Sequence, residues 1–456
     1  MGSLLDLPVE ILLFIIGFFE SAEHWPVLLS LCLASRQLYA LAQPKLFKTY
    51  LNGLHCHCCH KTNGSKDGLC SLLGFTQTLL SRPDLGSCVR QIIINTSNWE
   101  SRTPERWSKT LTPETIALLV DVVQCLCVND KAVFLSSIAR AKVPPWIILL
   151  CTRTPNLEHL DLTLGEEDLK DLRASYMPSI QKDLVSPYLS RLRSLDIGGT
   201  WGQMNIIQAD ILSFFLSSSC LEYFSLSLLD VRGAGDSGFM LPSQSLNIAS
   251  VSLTRTSLNT NLLTTLVYAC RGLKTLIYEI DSDTPNHVEL SELAAILNSQ
   301  RETLEYIIVD LDLYDWGLHW DDYPKIESFA FFTNIQHLEI EQCLLTDNPG
   351  LPDSLRHLVI RACEYPVARL LTNLTRRSLD SLDALTLVVL QPRSSPPNGM
   401  FGLSERFDSD EDVYANILYR SAFRGACRRL RKIVREAYFD FDVRCEEWVL
   451  FEEGLL

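Results

Sequence analysis

The sequence is short of positive charge. Its 456 residues carry 40 Lys and Arg against 55 Asp and Glu, for a formal net charge of −15. Such a chain repels a phosphate backbone at long range, so no nucleic-acid partner is expected. Long apolar runs are missing too. A membrane-spanning helix needs about 20 consecutive apolar residues. The greasiest stretch, Ile11 to Phe19, is less than half that and contains Gly17, so no membrane span is expected. The charges just before it, Asp6 and Glu10, are negative, whereas an export signal starts positive. The sequence has no P-loop, no dinucleotide-binding glycine motif after a strand and no H-E-x-x-H, so no cofactor is expected. Cysteine is plentiful, but it lacks the even, clustered arrangement of a disulfide scaffold: 15 residues, an odd number, are scattered from Cys32 to Cys445. Reduced thiols in the cytoplasm or nucleus are the expectation.

What is present is apolar content. At 47% hydrophobic and 21% charged, the chain can bury a large core. Much of that content recurs in one pattern, L-x-x-L-x-L. It reads Val89–Ile92–Ile94, Leu157–Leu160–Leu162, Leu192–Leu195–Ile197 and Leu221–Phe224–Leu226. It continues as Ile248–Val251–Leu253, Leu273–Leu276–Tyr278 and Leu304–Ile307–Val309. Ile335–Leu338–Ile340, Leu355–Leu358–Ile360 and Leu382–Leu385–Leu387 complete it. Positions i+3 and i+5 share one face of a strand, because the side-chain period is two, and position i turns in at the corner before it. One such strand cannot bury its apolar face alone, so neighbours must stack. Three residues beyond the strand core stand Thr200, Thr256, Cys343 and Cys363, small residues suited to fill a tight turn. Helical stretches lie between the cores. "TPETIALLVDVVQCL" opens with Thr112 before Pro113, and "LSELAAILNSQ" offers Ser291 as a cap and a stripe at Leu293, Ile296 and Leu297. The rhythm of strand, turn and helix resembles the leucine-rich repeats, and implies an α/β solenoid of parallel strands alternating with helices over 89–390.

Positions i+2, i+4 and i+6 alternate with the core and are expected to face solvent. They carry His159, Tyr223, Tyr306, His337 and His357, then Asp161, Asp196 and Glu339, then Glu279, Asp310, Glu341 and Arg361. This face is aromatic, histidine-bearing and mostly acidic, which suits a target segment of net positive charge. Trp316 and Trp320, in "DLDLYDWGLHWDDYP", join it as candidate target-binding residues.

Other motifs are weaker. "HCHCCHK" places His55, Cys56, Cys58, Cys59 and His60 close together, with Cys70 beyond. Adjacent ligands point apart and the spacing departs from C-x₂₋₄-C with a distant second pair, so no bound metal is expected. "GDSG" at Gly235 to Gly238 lacks a matching histidine motif, and nucleophilic catalysis needs a base and an orienting acid.

The first fifty residues hold three short helical patterns. Leu7-Pro8 precedes one with apolar residues at Ile11, Leu12, Ile15, Ile16 and Phe19; "WPVLLSLCLAS" and "SRQLYALAQPKLFKTY" follow. So short a segment makes a thin core, and some of its surface should need a partner. "LPVEILLFI", "LLSLCLASRQLYALAQP" and "KLF" resemble an F-box over Leu5 to Tyr50. Gln37, Leu38 and Tyr39 follow Arg36 where many F-boxes have a Trp, which resembles the divergent F-box proteins with leucine-rich repeats of filamentous fungi. The resemblance implies a non-catalytic substrate-recognition subunit of a Skp–cullin–F-box E3 ubiquitin ligase. Leu7, Pro8, Ile11, Leu12 and Ile15 would meet the Skp-type adaptor, and through it a cullin; Leu28, Leu31, Ser35 and Leu38 would line the box or the rest of the adaptor-docking face; the solenoid would hold a target protein for degradation.

The expected organisation is a box over 1–50, a Cys/His-containing insert and bridging helix over 51–88 and the solenoid over 89–390. A Pro/Ser-rich, then acidic, loop over 391–412 and a helical cap over 413–456 would follow. Two alternatives stay open: a leucine-rich scaffold outside any ubiquitin ligase, and an enzyme with an unrecognised site.

Overall fold

The structure, a computed structural model, describes residues 4–19, 24–52, 68–96, 112–126, 130–140, 142–176, 189–200, 205–216, 218–232, 241–280, 288, 290–310, 325–363, 367–376, 381–389, 428–435 and 439–445. The fold class is α/β, built on parallel strands. The chain forms two compact units, Met1–Ile248 and Ala249–Leu456.

The first unit opens with three helices, α1 (Val9–Gly17), α2 (Trp25–Ala34) and α3 (Arg36–Leu46). Pro8 stands just before α1, where its missing N–H is not needed. The Ser35 hydroxyl caps α3 by accepting from the Leu38 N–H at 3.1 Å. Strands β1 (Thr49–Asn52), β2 (Gln91–Asn95), β3 (His159–Thr163) and β4 (Ser194–Gly198) follow in chain order. Beyond them come β5 (Asn205–Gln208), β6 (Tyr223–Ser227) and β7 (Leu229–Arg232). β1, β2, β3, β4 and β6 pair in parallel in that order, and β5 pairs with β7 alongside. A parallel neighbour needs a crossover, and here helices such as Gly68–Ser81, Val143–Arg153 and Glu166–Tyr176 lie between the strands in the chain. The middle one is buried from Val143 to Cys151.

The second unit repeats the plan with β8 (Ser250–Thr254), β9 (Thr275–Glu279), β10 (Tyr306–Asp310), β11 (Ile326–Ser328) and β12 (His337–Glu341). β13 (Leu345–Gly350), β14 (His357–Arg361), β15 (Ala384–Val389) and β16 (Asp440–Cys445) complete it. β8, β9, β10, β12, β14, β15 and β16 pair in parallel in that order, with β11 and β13 as a side pair.

All thirty residues of the ten recurring cores are buried, none more than 4% exposed. The same hydrogen bonds open rung after rung. The Glu158 carbonyl accepts from the Arg193 and Ser194 N–H groups, and the Glu305 carbonyl from those of Gln336 and His337. The Lys274 and Gln336 carbonyls form the same fork with the next strand, so the rungs start level. Rung exits are tight. Leu228, Arg255 and Ala362, one residue past β6, β8 and β14, have φ of 57°, 51° and 48°, left-handed values uncommon for residues other than glycine. The small residues expected to fill these turns bond within them: Thr256 Oγ1 donates to Thr254 O at 3.1 Å, and Cys363 Sγ to Ile360 O at 3.0 Å.

Three local expectations change. Residues 440–445 form β16, where a helical cap was expected; Phe441 and Val443 pair in register with Leu385 and Leu387. Tyr50, the last residue of the expected box, lies on β1 and pairs with Ile92. Ser291 sits inside the helix Leu290–Asn298 instead of capping it, although Leu293, Ile296 and Leu297 are its buried stripe as expected. The loop expected over 391–412 lies outside the described residues. Among the described residues no single helix is long and apolar enough to cross a membrane.

Candidate functional site

Two surfaces stand out. The first is the outside of the three N-terminal helices. Ile16, Leu28 and Ala42 form their centre, with Phe19, Trp25, Leu31, Cys32, Leu41 and Leu46 packed against it. Of the seventeen large hydrophobic side chains exposed among the described residues, twelve lie between Leu4 and Tyr39. Phe14 and Phe18 are about two-thirds exposed and touch edge to face, with ring centroids 4.9 Å apart. Apolar side chains exposed in such number over one short segment suit an interaction surface.

The structure divides the expected adaptor-contacting residues. Leu7, Pro8 and Ile11 are exposed, while Ile15 and Leu31 are half-buried. Leu12, Leu28 and Leu38 are buried inside the helices and cannot line an outer face without unfolding them. Ser35 is committed to its cap. In their place Leu13, Phe14, Phe18, Leu29 and Leu33 are exposed. α1 is apolar on every side, so spacing alone could not say which stripe turns inward.

The second surface is the outward face of the strands. In the first unit, His159, Ser194 and Tyr223 form one row and Asp161, Asp196 and Ser225 the next. No cation is paired with either carboxylate among the described ion pairs. Burial, then the neighbouring Asp196 charge, pushes the Asp161 carboxyl up to about 6. Burial also raises Asp196, opposed by a hydrogen bond from the Ser225 hydroxyl.

In the second unit, Thr275, Tyr306, His337 and His357 are neighbours across four strands. The Tyr306 and His337 rings stack 4.2 Å apart and 8° from parallel, with His357 tilted 6.1 Å beyond. Farther along the strands the face turns acidic. Arg361 reaches back across β12, donating to Glu339 and, at 2.7 Å, to Asp310 Oδ2 two strands away. His337 Nε2 lies 3.6 Å from Glu339 Oε2, too long for a hydrogen bond. Burial works against the charged form of Glu339, yet His337 and Arg361 hold its carboxyl below the usual range. Glu279 is different. Burial raises it, Asp310 raises it further, and Arg361 offsets this only in part.

His159, Asp161, Asp196, Tyr223, Glu279, Tyr306, Asp310, His337, His357 and Arg361 lie on this face, half-buried or exposed, as the alternation predicts. Glu339 and Glu341, expected to face solvent, are 9% and 3% exposed. Arg361 covers the first, and Cys343 Sγ donates to the second at 3.3 Å. Trp316 and Trp320 fall outside the described residues, as do His55, Cys56, Cys58, Cys59, His60 and the side chain of Cys70. Among the described residues no group of three or more His, Cys, Asp or Glu is placed to hold a metal ion. What the alternation could not reveal is that Arg361 serves two carboxylates, because the strands between them are set by the order of pairing. No protein-family model matches the chain, and no curated protein is found to match it.

Proposed function

We propose that this chain is a substrate-recognition subunit of a Skp–cullin–F-box ubiquitin ligase. Its first three helices act as the box, and the irregular leucine-rich solenoid behind them holds a target protein. The observation that carries this reading is the concentration of exposed apolar side chains between Leu4 and Tyr39. A nine-residue α1 that buries Leu12 and Ile16 but leaves Ile11, Leu13 and Phe14 in solvent, with Phe18 exposed just past its end, suits a surface covered by another subunit. Covering each such side chain contributes about 1.5–3 kcal/mol, more than the 0–1 kcal/mol of an exposed ion pair. The Skp-type adaptor is the partner the F-box resemblance implies, and a cytoplasmic or nuclear setting goes with it.

The mechanism is positional. The helices fix the chain in the ligase, and the strands hold the target where the ubiquitin-loaded enzyme can reach it, so the target gains effective concentration. Bond-making belongs to that enzyme.

Co-purification of the full-length chain with a Skp-type adaptor tests this. The wild type should elute with the adaptor, and the Pro8→Asp, Ile11→Asp double variant should not, while keeping the thermal unfolding of its strands. A wild type that ignores the adaptor, or a double variant that binds as well, would overturn the proposal.

A further inference from the structure

The join between the N-terminal helices and the first strand has no slack. α3 ends at Leu46 and β1 begins at Thr49, so Phe47 and Lys48 alone connect them. Both are committed. The Phe47 N–H donates to the Gln43 carbonyl at 3.1 Å and closes α3. The Lys48 N–H donates to the Lys45 carbonyl, and the Lys48 carbonyl accepts from the Arg90 and Gln91 N–H groups, in the fork that also opens later rungs. The first rung therefore hangs directly on the end of α3.

The helix Gly68–Ser81 fastens the same joint from the side. The Phe75 ring stacks on Tyr50, with centroids 4.3 Å apart and planes 19° from parallel, and on Phe47, 5.8 Å away at 17°. One ring thus meets the residue that closes α3 and a residue of β1. Ser71 Oγ, one turn before Phe75, stands 3.4 Å from the Tyr50 hydroxyl. Just past the end of this helix, Arg82, held to Asp84 at 2.9 and 2.6 Å, donates to the Tyr39 hydroxyl on α3. The helix is itself anchored to the rungs. It buries Leu72, Leu73, Leu79 and Leu80 and packs against the buried helix Val143–Arg153. Gln77 Nε2 also donates to Thr115 Oγ1 at 3.3 Å. A hinge needs a few residues free to change φ and ψ. Here both link residues are hydrogen-bonded, and stacked rings hold orientation as well as distance.

We propose that Phe75 is a positioning residue: it locks the three N-terminal helices onto the first rungs. A partner seated on the outside of those helices then stands at a fixed orientation to the first unit's strands. Without the ring, Phe47 and Tyr50 lose their shared partner and the two-residue link is free to turn. A stiff joint narrows the separations open to two bound molecules, which raises their effective concentration where the geometry fits. The inference concerns the joint, and holds whether or not the helices take a Skp-type adaptor.

Single-molecule energy transfer in the full-length chain tests it. With 15 cysteines in the chain, the dyes are placed on azide-bearing residues replacing Leu33, exposed on α2, and Glu222, exposed just before β6. The otherwise wild-type chain should give one narrow distribution of transfer efficiency. Phe75→Ala should broaden it about twofold or more, while Phe75→Tyr keeps it narrow and both unfold within a few degrees of wild type. Should Phe75→Ala fail to fold, Phe75→Leu, which fills the site without a ring, is read in the same way. A broad distribution with Phe75 in place, a narrow one without the ring, or a Phe75→Tyr chain as broad as Phe75→Ala would overturn the inference. Co-purification with the adaptor should survive loss of the ring, so this inference and the adaptor reading fail separately.

Discussion

Between Leu4 and Tyr39 twelve large apolar side chains face solvent, whereas at the thirty core positions of the strands none is more than 4% exposed. Both regions are rich in Leu and Ile. The difference lies in how many neighbours each element has. A strand in the middle of a rung series is flanked on two sides, and every neighbour repeats the same apolar pair at the same level. The three helices pack chiefly on one another, and a set this small cannot cover all its own apolar surface. The outward face of the strands is also partly self-sufficient, because Arg361 ties carboxylates from two other strands. An apolar residue is thus a sign of burial in a repeat, and a sign of a missing partner in a short helical set.

Substitutions can break this contrast. Leu338→Ala, fully buried on β12, should cost about 3–4 kcal/mol in denaturant unfolding, from lost transfer energy and the cavity left behind. A loss below about 1 kcal/mol there would mean the rungs are loosely packed. Arg361→Ala should cost about 2–3 kcal/mol, because Glu339 and Asp310 lose their shared cation while Glu339 stays buried. The loss should shrink at acid pH as Glu339 protonates.

Asp161→Asn acts in the opposite direction. The folded chain holds the Asp161 proton up to about pH 6, against 3.8 for an unperturbed carboxyl. Protonated, Asp161 is at ease in its half-buried site; ionised, it is not. Its contribution therefore worsens as pH rises from about 4 to about 6 and stays unfavourable above that window. Solvent reaches the pair and screens it, so Asp161→Asn should gain about 1 kcal/mol at pH 7.5 and almost nothing at pH 4. Equal effects at the two pH values would remove the repulsion with Asp196 from the account. Phe14→Ser should change stability least, by under about 0.5 kcal/mol, because the ring is 67% exposed. A loss comparable to that of Leu338→Ala would show that Phe14 is packed in solution and would erase the contrast between the two regions.

How much of this was legible beforehand depends on whether the signal was local. Ile335, Leu338 and Ile340 could be read because strand alternation puts them on one face whatever the neighbours are. Thr112 could be read as a cap because its hydroxyl accepts from the N–H of Thr115, three residues on. β16 is harder to read: Phe441, Val443 and Cys445 alternate in the sequence, but six residues are few to set a strand against a helical cap. That Leu12 and Leu28 turn inward is not legible in this way, because helices apolar all round give no direction.

Sequence alone determined which residues of each rung point to the core and which point away, since that follows from backbone geometry within a few residues. Only the tertiary structure decided that Arg361 meets Asp310 and Glu339, 51 and 22 residues earlier. It also decided which side of α1 stays uncovered. The physical reason is that a charge or an apolar face is satisfied by whatever stands within a few ångströms, and the order of strands and helices, set by no single segment, chooses that neighbour.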